Sequence, residues 1–240
     1  MKTSNKWLLA ALLLLLASLT AYNMGLRTEY LRGTYKDSLR NYTTLNFRNF
    51  TAIDLPAASL MSVKVTAGPY AVRINKAAEK YLKVSEKGGR LTIAVVFPEG
   101  RQYLGQGDVV TISCPRLRLL TASSTFTQAG KPAFDRENDR GNTIQIQGFR
   151  QDSLLLSQDK ATQIELRDNR LAFLEADAGR SVGSHATLRI AASNGIGGAN
   201  LSVQHQSELQ LESRIMSPRY QFGDSARVTF AGAALSGLPR

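Results

Sequence analysis

Apolar and polar residues alternate in short stretches from Thr143 to the C-terminus. The stretches recur about every ten residues, and turn-forming pairs such as Asp168-Asn169 and Ser193-Asn194 separate them. This alternation predicts many short β-strands. The strands are expected around Ile144/Ile146, Leu154/Leu156, Ile164/Leu166, Leu201/Val203, Leu209/Leu211, Tyr220/Phe222 and Val228/Phe230. Two strands make a repeat of about 20 residues, which favours a solenoid, although a β-sandwich has strands at the same spacing.

The preceding part of the chain, from Phe47 onwards, also consists of predicted strands, but their spacing is less regular. Glycine and proline punctuate it, as at Gly68-Pro69 and Gly88-Gly89. Strands are expected at residues 52–55, 62–66, 70–74, 81–84, 91–97, 109–113 and 116–120. Residues 75–81 are the one candidate for a helical turn, and residues 131–142 are expected to form a charged loop. The predicted fold class is all-β: a right-handed β-solenoid or β-helix-like stack, preceded by one N-terminal transmembrane helix.

The N-terminal segment is strongly apolar. Residues 7–26 contain no charged side chain, and as a helix they would span about 30 Å, the thickness of a bilayer core. An uncleaved signal anchor is favoured over a cleaved signal peptide, because cleavage after Ala21 would place the bulky Leu19 where a small residue is needed. No cysteine follows the apolar run, so a lipoprotein anchor is excluded. We therefore expect a signal anchor or signal peptide at 1–25, a juxtamembrane linker at 26–45 and a β-domain at 46–240.

The formal net charge of +11 is spread unevenly. Residues 41–130 carry eleven basic and five acidic side chains, whereas residues 131–240 carry thirteen and twelve. The basic N-terminal half is expected either to contact anionic lipid headgroups or acidic surface glycans, or to be a solvated face without a ligand. No pattern typical of nucleic-acid binding accompanies the charge, so nucleic acid is not an expected partner.

Several segments of the first half together resemble a known family. The segments are residues 50–55, 62–66, 82–84 with 91–93, and 110–124, which include Cys114-Pro115. They resemble the auto-transporter adhesin, head GIN domain family of Bacteroidetes, over residues 47–235 and best over 50–124. This chain has Ala122-Ser123 where that family often has a Ser-Gly pair. The resemblance implies an exported, mostly β, solenoid-like domain with no assigned chemistry. With the anchor, it implies an inner-membrane protein whose domain lies in the periplasm, or a secreted or cell-surface protein after signal cleavage.

Motifs for catalysis or metal binding are present only in incomplete form. Residues 179–183 fit the G-x-S-x-G pattern of a nucleophile elbow around Ser181, but a predicted strand follows where the elbow needs a helix. His185 and His205 have no cysteine near them, which argues against a zinc site. Arginines interrupt Asp135, Glu137 and Asp139, which argues against calcium. The lone Cys114 is expected to be a buried, inert thiol. The sequence thus predicts no catalytic, cofactor-binding or metal-binding residues.

The sequence leaves three functions open. We expect a non-catalytic domain for adhesion, cell-envelope organisation or glycan contact, with Tyr70, Tyr81, Tyr103 and Tyr220 as candidate exposed aromatic residues. The first alternative is a β-helix enzyme that acts on polysaccharides, with Glu165, Arg167, Asp168 and Arg189 as candidate site residues. The second alternative is a periplasmic sensory domain that signals through the anchor.

Overall fold

The computed structural model describes residues 3–33 and 39–237, which separate into two compact units, Met1–Tyr42 and Thr43–Arg240. The first unit contains one long helix, α1 (Thr3–Arg32). Its leucines are exposed on all sides rather than on one face. A helix that is apolar all round requires an apolar environment. Its stretch Thr3–Leu31 is long and apolar enough to cross a membrane, which a signal sequence would also be.

The second unit consists almost entirely of short β-strands, which confirms the prediction of a mostly β protein with one N-terminal apolar helix. The strands of the first half are β1 (Tyr42–Leu45), β2 (Ala52–Leu55), β3 (Ser62–Ala67), β4 (Ala71–Asn75), β5 (Leu82–Lys87), β6 (Arg90–Phe97), β7 (Asp108–Cys114), β8 (Leu119–Ala122), β9 (Thr125–Gln128) and β10 (Lys131–Phe134). Single 3-10 turns lie at Ala58–Leu60 and Glu79–Tyr81.

The strands of the second half are longer and more regular. They are β11 (Ile144–Gln147), β12 (Arg150–Gln158), β13 (Gln163–Arg167), β14 (Arg170–Ala178), β15 (Thr187–Ile190), β16 (Gly195–Val203), β17 (Glu208–Leu211), β18 (Ile215–Phe222) and β19 (Arg227–Phe230). A 3-10 segment, Gly232–Gly237, follows β19. The expected loop at 131–142 begins with a strand, because Lys131–Phe134 pairs antiparallel with β9 and closes a hairpin.

Two sheets contain these strands, and from β10 onwards the chain alternates between them. One sheet has nine strands in the order β1-β4-β7-β3-β11-β13-β15-β17-β19. The other has ten in the order β10-β9-β6-β2-β8-β12-β14-β16-β18, with β5 paired antiparallel to β6 beside it. From β11 onwards each strand pairs in parallel with the strand two places later in the chain.

Apolar side chains at equivalent positions of these parallel strands stack on one another. In the nine-stranded sheet, Ile144, Ile164, Leu188, Leu209 and Val228 are successive partners, separated by 20, 24, 21 and 19 residues. Ile146, Leu166, Ile190, Leu211 and Phe230 form a second such ladder. Ladders from both sheets face inward and join in one continuous core. The 24-residue interval contains the segment 179–183 as an enlarged loop.

The corners between the sheets are held by buried polar side chains. Asn169 accepts a hydrogen bond from the Phe149 N–H (2.9 Å), and its amide donates to the Ile146 carbonyl (2.9 Å). Asn194 repeats this arrangement one turn later, since it accepts from the Asn169 N–H and donates to the Leu166 carbonyl. At the opposite corner, Ser184 accepts from the Lys160 N–H. These bonds satisfy backbone groups that the bends would otherwise leave buried and unpaired.

Candidate functional site

Two rows of outward-facing side chains cross the ten-stranded sheet from β5 to β18. The mixed row consists of Lys87, Arg90, Ala52, Leu119, Leu155, Glu175, Asn200 and Arg219, each the partner of the next. The polar row consists of Ser85, Thr92, Asp54, Thr121, Ser157, Asp177, Ser202 and Gln221. Because neighbouring strands lie about 4.8 Å apart, each row is about 34 Å long.

The rows follow from the alternation along each strand. In β12, Leu154 and Leu156 point into the core, so Leu155 and Ser157 point outward. The polar row contains a hydroxyl, carboxylate or amide side chain on each of its eight strands. These groups are aligned by the pairing register of the strands and not by closeness in sequence.

The alternation is interrupted at the same place in four successive strands, where two neighbouring residues are both at least partly exposed. These pairs are Asp152-Ser153, Ala172-Phe173, Gly197-Gly198 and Met216-Ser217. Phe173 lies opposite Gly198, and a side chain on Gly198 would come within 3.1 Å of the Phe173 Cδ2 atom. The aromatic ring therefore rests against the glycine backbone. It remains 38% exposed, a large fraction for an aromatic residue in a sheet.

Three shallow clefts surround Phe173 and the neighbouring part of the mixed row. A cleft of about 290 Å³ is lined by Arg118, Leu119, Leu155, Phe173 and Glu175. One of about 430 Å³ is lined by Phe173, Gly198, Asn200 and Arg219. A third, of about 380 Å³, is lined by Glu175, Asp177, Asn200, Ser202 and Arg219. Each two of the clefts share at least one lining residue: Phe173 joins the first and second, Glu175 the first and third, and Asn200 and Arg219 the second and third. They therefore form one surface, which we name the Phe173 groove.

The charge of this face differs between its two ends. At the β5 end, Lys83, Lys87 and Arg90 are exposed on the outer side of the hairpin. Burial raises the pKa of the neighbouring Asp54, and the charge of Arg90 opposes that rise. In the Phe173 groove the charged groups are Arg118, Glu175, Asp177 and Arg219. The face therefore offers cations at one end, and both signs around an aromatic ring at the other.

The segment that resembles a nucleophile elbow forms a structural contact. The Ser181 hydroxyl donates to Asp159 Oδ2, and the Ser181 N–H donates to Asp159 Oδ1 at 3.0 Å. Burial raises the pKa of Asp159, but hydrogen bonds from Ser181, the Lys160 backbone and Ser184 outweigh it and hold the pKa below its ordinary value. Strand β15 follows this loop, as the sequence predicts. His185 is exposed and takes no part in the Ser181–Asp159 pair.

The residues considered for metal binding are separated in the structure. Asp135 forms a double ion pair with Arg101 (2.8 and 3.0 Å) and accepts a hydrogen bond from Ser59, so it fastens the loop after β10. Glu137 and Asp139 are exposed. Within residues 3–33 and 39–237, no three His, Cys, Asp or Glu side chains are grouped so that they could hold a metal ion. Cys114 is buried, and burial raises its thiol pKa to about 12.

Three of the four candidates for a polysaccharide-active site come together on the outer side of the nine-stranded sheet. Glu165 is only 7% exposed, and its Oε1 lies 2.8 Å from Arg167 Nη2 and 3.5 Å from Arg189 Nε. Its contact with Arg167 raises the pKa of that guanidinium. Glu212, a further carboxylate beside this cluster, forms an ion pair with Arg189 at 2.7 Å. Asp168 instead accepts a hydrogen bond from Gln147 (2.8 Å).

Three of the four candidate aromatic residues lie outside the Phe173 groove, and the fourth lies at its edge. Tyr70 packs edge-to-face on Phe50, and Tyr81 on Phe97. Tyr103 is exposed beneath the Arg140 guanidinium, and Tyr220 lies at the edge of the groove on β18. Phe173 escapes sequence reasoning because its position breaks the alternation. The available signal is the Gly197-Gly198 pair, which precedes the strand predicted around Leu201 and lies within β16, because glycine in a strand permits close approach of another group.

Comparisons with known proteins give distant structural likenesses. A candidate adhesin from Bacteroides fragilis superposes with a TM-score of 0.44 at 9% identity, over 79% of this chain and 95% of its own. A candidate adhesin from Parabacteroides distasonis gives a TM-score of 0.35 at 9% identity, over 78% and 95%. A candidate lipid-binding protein from the same species gives 0.33 at 12% identity, over 80% and 94%. No family or function follows from likenesses of this level.

The sequence comparisons give no match. No family model matches the chain, and no curated protein matches it. The resemblance to the head GIN domain family therefore stays a prediction.

Proposed function

We propose that this protein is a membrane-anchored, non-catalytic β-solenoid that binds an extended glycan outside the cytoplasm. The observation that carries the proposal is the exposed ring of Phe173 beside Glu175, Asn200 and Arg219. The planar polar groups of these three residues belong to the mixed row, which crosses eight strands. Sugar rings have apolar faces and polar edges. A ligand of this kind needs an aromatic surface beside groups that can form paired hydrogen bonds.

The parallel pairing of the second half supports the solenoid. Each pair of strands, one from each sheet, makes a coil, and the next coil repeats it at intervals of 19 to 24 residues. The stacked isoleucine and leucine ladders and the repeated corner hydrogen bonds of Asn169 and Asn194 are typical of such a stack. A right-handed path is the expected one, because parallel crossover connections are right-handed in almost all proteins.

The dimensions and charges of the two rows support a polymer rather than a single sugar. A chain that crosses the strands meets new side chains about every 4.8 Å over about 34 Å. Neutral rings fit the Phe173 groove, where Glu175, Asn200 and Arg219 supply donors and acceptors. Acidic groups of the same polymer fit Lys83, Lys87 and Arg90 at the other end. We therefore propose a glycan in which acidic groups are sparse, and anionic lipid headgroups are the competing ligand for the cations.

The test is binding of the full chain, held in lipid nanodiscs, to immobilised neutral β-glucan, chito-oligosaccharides and highly methyl-esterified pectin, whose acidic groups are sparse. We expect one of these polymers to bind, and Phe173→Ala to weaken it about tenfold, or about 1.4 kcal/mol. Phe134→Ala is the matched control, since Phe134 is an exposed phenylalanine on β10, outside both rows. Absence of binding to all three polymers, or equal losses in the two variants, would refute the glycan proposal.

The helix α1 supports an anchored protein. We propose that it holds the chain in the inner membrane with the β unit in the periplasm; secretion after signal cleavage is the alternative. Protease added to spheroplasts should digest the β unit, and mass spectrometry should find residues 3–31 intact in the membrane. Survival of the β unit would reverse the proposed topology, whereas a mature N-terminus near Ala21 would establish cleavage.

A second candidate function rests on the cluster around Glu165. The structure brings this buried carboxylate to two arginines, as an enzyme acting on acidic polysaccharides would require. Turnover of polygalacturonate by the full chain, lost in Glu165→Gln, would favour an enzyme over a binding protein. We expect no turnover, because both arginines and Glu212 are already engaged in ion pairs that brace three neighbouring strands.

A further inference from the structure

At the C-terminal end of the stack, no strand of the described residues pairs with the outer edge of either sheet, although the 3-10 segment Gly232–Gly237 contacts β18 and contains the buried Ala234. β18 is the last strand of the ten-stranded sheet, and β19 is the last strand of the nine-stranded sheet. An open strand presents backbone N–H and C=O groups that can pair with another polypeptide. This feature is independent of the glycan proposal.

The backbone hydrogen bonds show which groups face the open side. The Gly223 N–H donates to the Val203 carbonyl (2.9 Å), and the Arg227 N–H donates to the Ser207 carbonyl (2.9 Å). Hydrogen-bonding groups alternate in direction along a strand. The N–H groups of Phe222 and Val228, one residue away from each of these donors, therefore point to the open side.

The side chains of the last coil form a partly exposed aromatic cluster. Tyr220 and Phe222 occupy inward positions and are 37% and 40% exposed, whereas Leu201 and Val203, their partners one coil earlier, are buried. The Tyr220 ring stacks on Phe222 at 5.5 Å and meets Phe230 edge-to-face at 5.8 Å. The cluster lies where the inward side chains of a further coil would pack.

Charge restricts what can cover this cluster. Arg214, Arg219 and Arg227 are exposed, and in the described part of the chain none of the three forms an ion pair. By the same alternation, Pro218 faces the open side and has no N–H to donate. Cations and a proline on an open strand oppose pairing with a second copy of the same strand. They do not oppose an acidic strand, which would neutralise the arginines.

We propose that the edge of β18 binds an extended acidic segment of another polypeptide, which adds as a further strand of the ten-stranded sheet. Apolar residues of that segment cover Tyr220 and Phe222, and its alternate acidic residues lie beside the exposed arginines. Main-chain hydrogen bonds supply the affinity, and the alternating side chains supply the specificity.

The test uses two labelled heptapeptides, Glu-Val-Glu-Phe-Glu-Val-Glu and its counterpart with lysine in place of glutamate. Fluorescence anisotropy measures their binding to the full chain in nanodiscs of neutral lipid. We expect the acidic peptide to bind at least about tenfold more tightly than the basic one. Phe222→Asp should weaken acidic-peptide binding at least about tenfold, and Phe173→Ala, on the same sheet, should leave it unchanged.

A second variant keeps the proposal testable if Phe222→Asp fails to fold. Arg214 and Arg227 are exposed, so the double variant Arg214→Glu with Arg227→Glu should fold and should shift the preference towards the lysine peptide. Equal binding of both peptides, or of neither, would overturn the proposal. So would a concentration-dependent dimer that Phe222→Asp abolishes, because a second copy would then be the occupant.

Discussion

The Phe173 ring rests on Gly198, its partner in the neighbouring strand, and this contact keeps one face of the ring open to solvent. A Cβ atom at Gly198 would lie 3.1 and 3.3 Å from two ring carbons. The ring would then have to move away from the strand by a few tenths of an ångström. The orientation of the aromatic surface therefore depends on a glycine 25 residues away in the sequence.

We expect Gly198→Ala to weaken glycan binding about threefold to tenfold, or about 0.7–1.4 kcal/mol, because it displaces the ring without removing it. Calorimetric titration with the polymer identified on the panel measures the change. Gly100→Ala is the control, because a Cβ atom at Gly100 meets nothing within 4 Å and Gly100 lies in a loop. If Gly198→Ala binds as tightly as the unaltered chain, the ring orientation has no part in recognition.

Asn169→Ala should lower the free energy of unfolding by about 2–3 kcal/mol. The substitution leaves the Phe149 N–H and the Ile146 carbonyl buried without their partners, and each such group costs about 1–3 kcal/mol. Urea unfolding followed by circular dichroism gives the difference. Gln147→Ala removes one exposed hydrogen bond on the same side of the stack and should change stability by less than about 0.5 kcal/mol. A loss below about 1 kcal/mol for Asn169→Ala would mean that water replaces the amide.

Ser181→Ala should destabilise the fold in a pH-dependent way. The Asp159 pKa lies below its ordinary value of 3.8, so its contribution to stability is full above that pH and is lost as pH falls through the lowered pKa. Removal of the Ser181 hydroxyl raises the Asp159 pKa towards the ordinary value. The variant should therefore be less stable by about 1 kcal/mol at pH 6 and nearly equal to the parent at pH 2.

Chemical unfolding of both proteins at the two pH values makes this measurement. A difference that persists unchanged at pH 2 would show that Ser181 acts through packing rather than through the carboxylate. An esterase assay on p-nitrophenyl acetate distinguishes a structural role of Ser181 from a catalytic one. Turnover by the parent that is lost in Ser181→Ala would show that Ser181 acts as a nucleophile.

Gln158→Met should stabilise the protein by about 1 kcal/mol. Gln158 is 1% exposed and points inward between Ala122 and Ala178, and neither atom of its amide group has a hydrogen-bond partner among the described residues. Replacement of an unsatisfied buried amide by an apolar group of similar shape removes its desolvation penalty. Thermal unfolding measures the gain, with Gln151→Met, which breaks a hydrogen bond to Leu117, as a destabilised comparison. Destabilisation by Gln158→Met would show that the amide has a polar role.

Much of the fold is predictable from alternation alone, because the pattern of Ile144 and Ile146 decides which side of a strand is buried before any pairing is known. The Phe173 groove is different. Glu175, Asn200 and Arg219 are aligned by strand register, which depends on loop lengths and corner hydrogen bonds rather than on local pattern. The strand at Lys131–Phe134 was missed for a related reason, since its charged neighbours hide a hairpin with β9 that only pairing reveals.

The cluster around Glu165 shows the opposite case. Glu165, Arg167 and Arg189 could be grouped from their outward positions on successive strands, but Glu212 could not, because it follows the end of β17. With the contact between Glu212 and Arg189 included, the acids and bases that resemble an active site form a continuous chain of ion pairs.

The repetition of the corner amides Asn169 and Asn194 has an evolutionary consequence. Since each corner asparagine fastens its own coil to the coil before it, an in-frame duplication of one coil would supply its own fastening. Each duplicated coil would add one side chain to both outer rows and about 4.8 Å to the surface they form. Reach along a ligand could thus grow in fixed increments by gene duplication, without redesign of the interior.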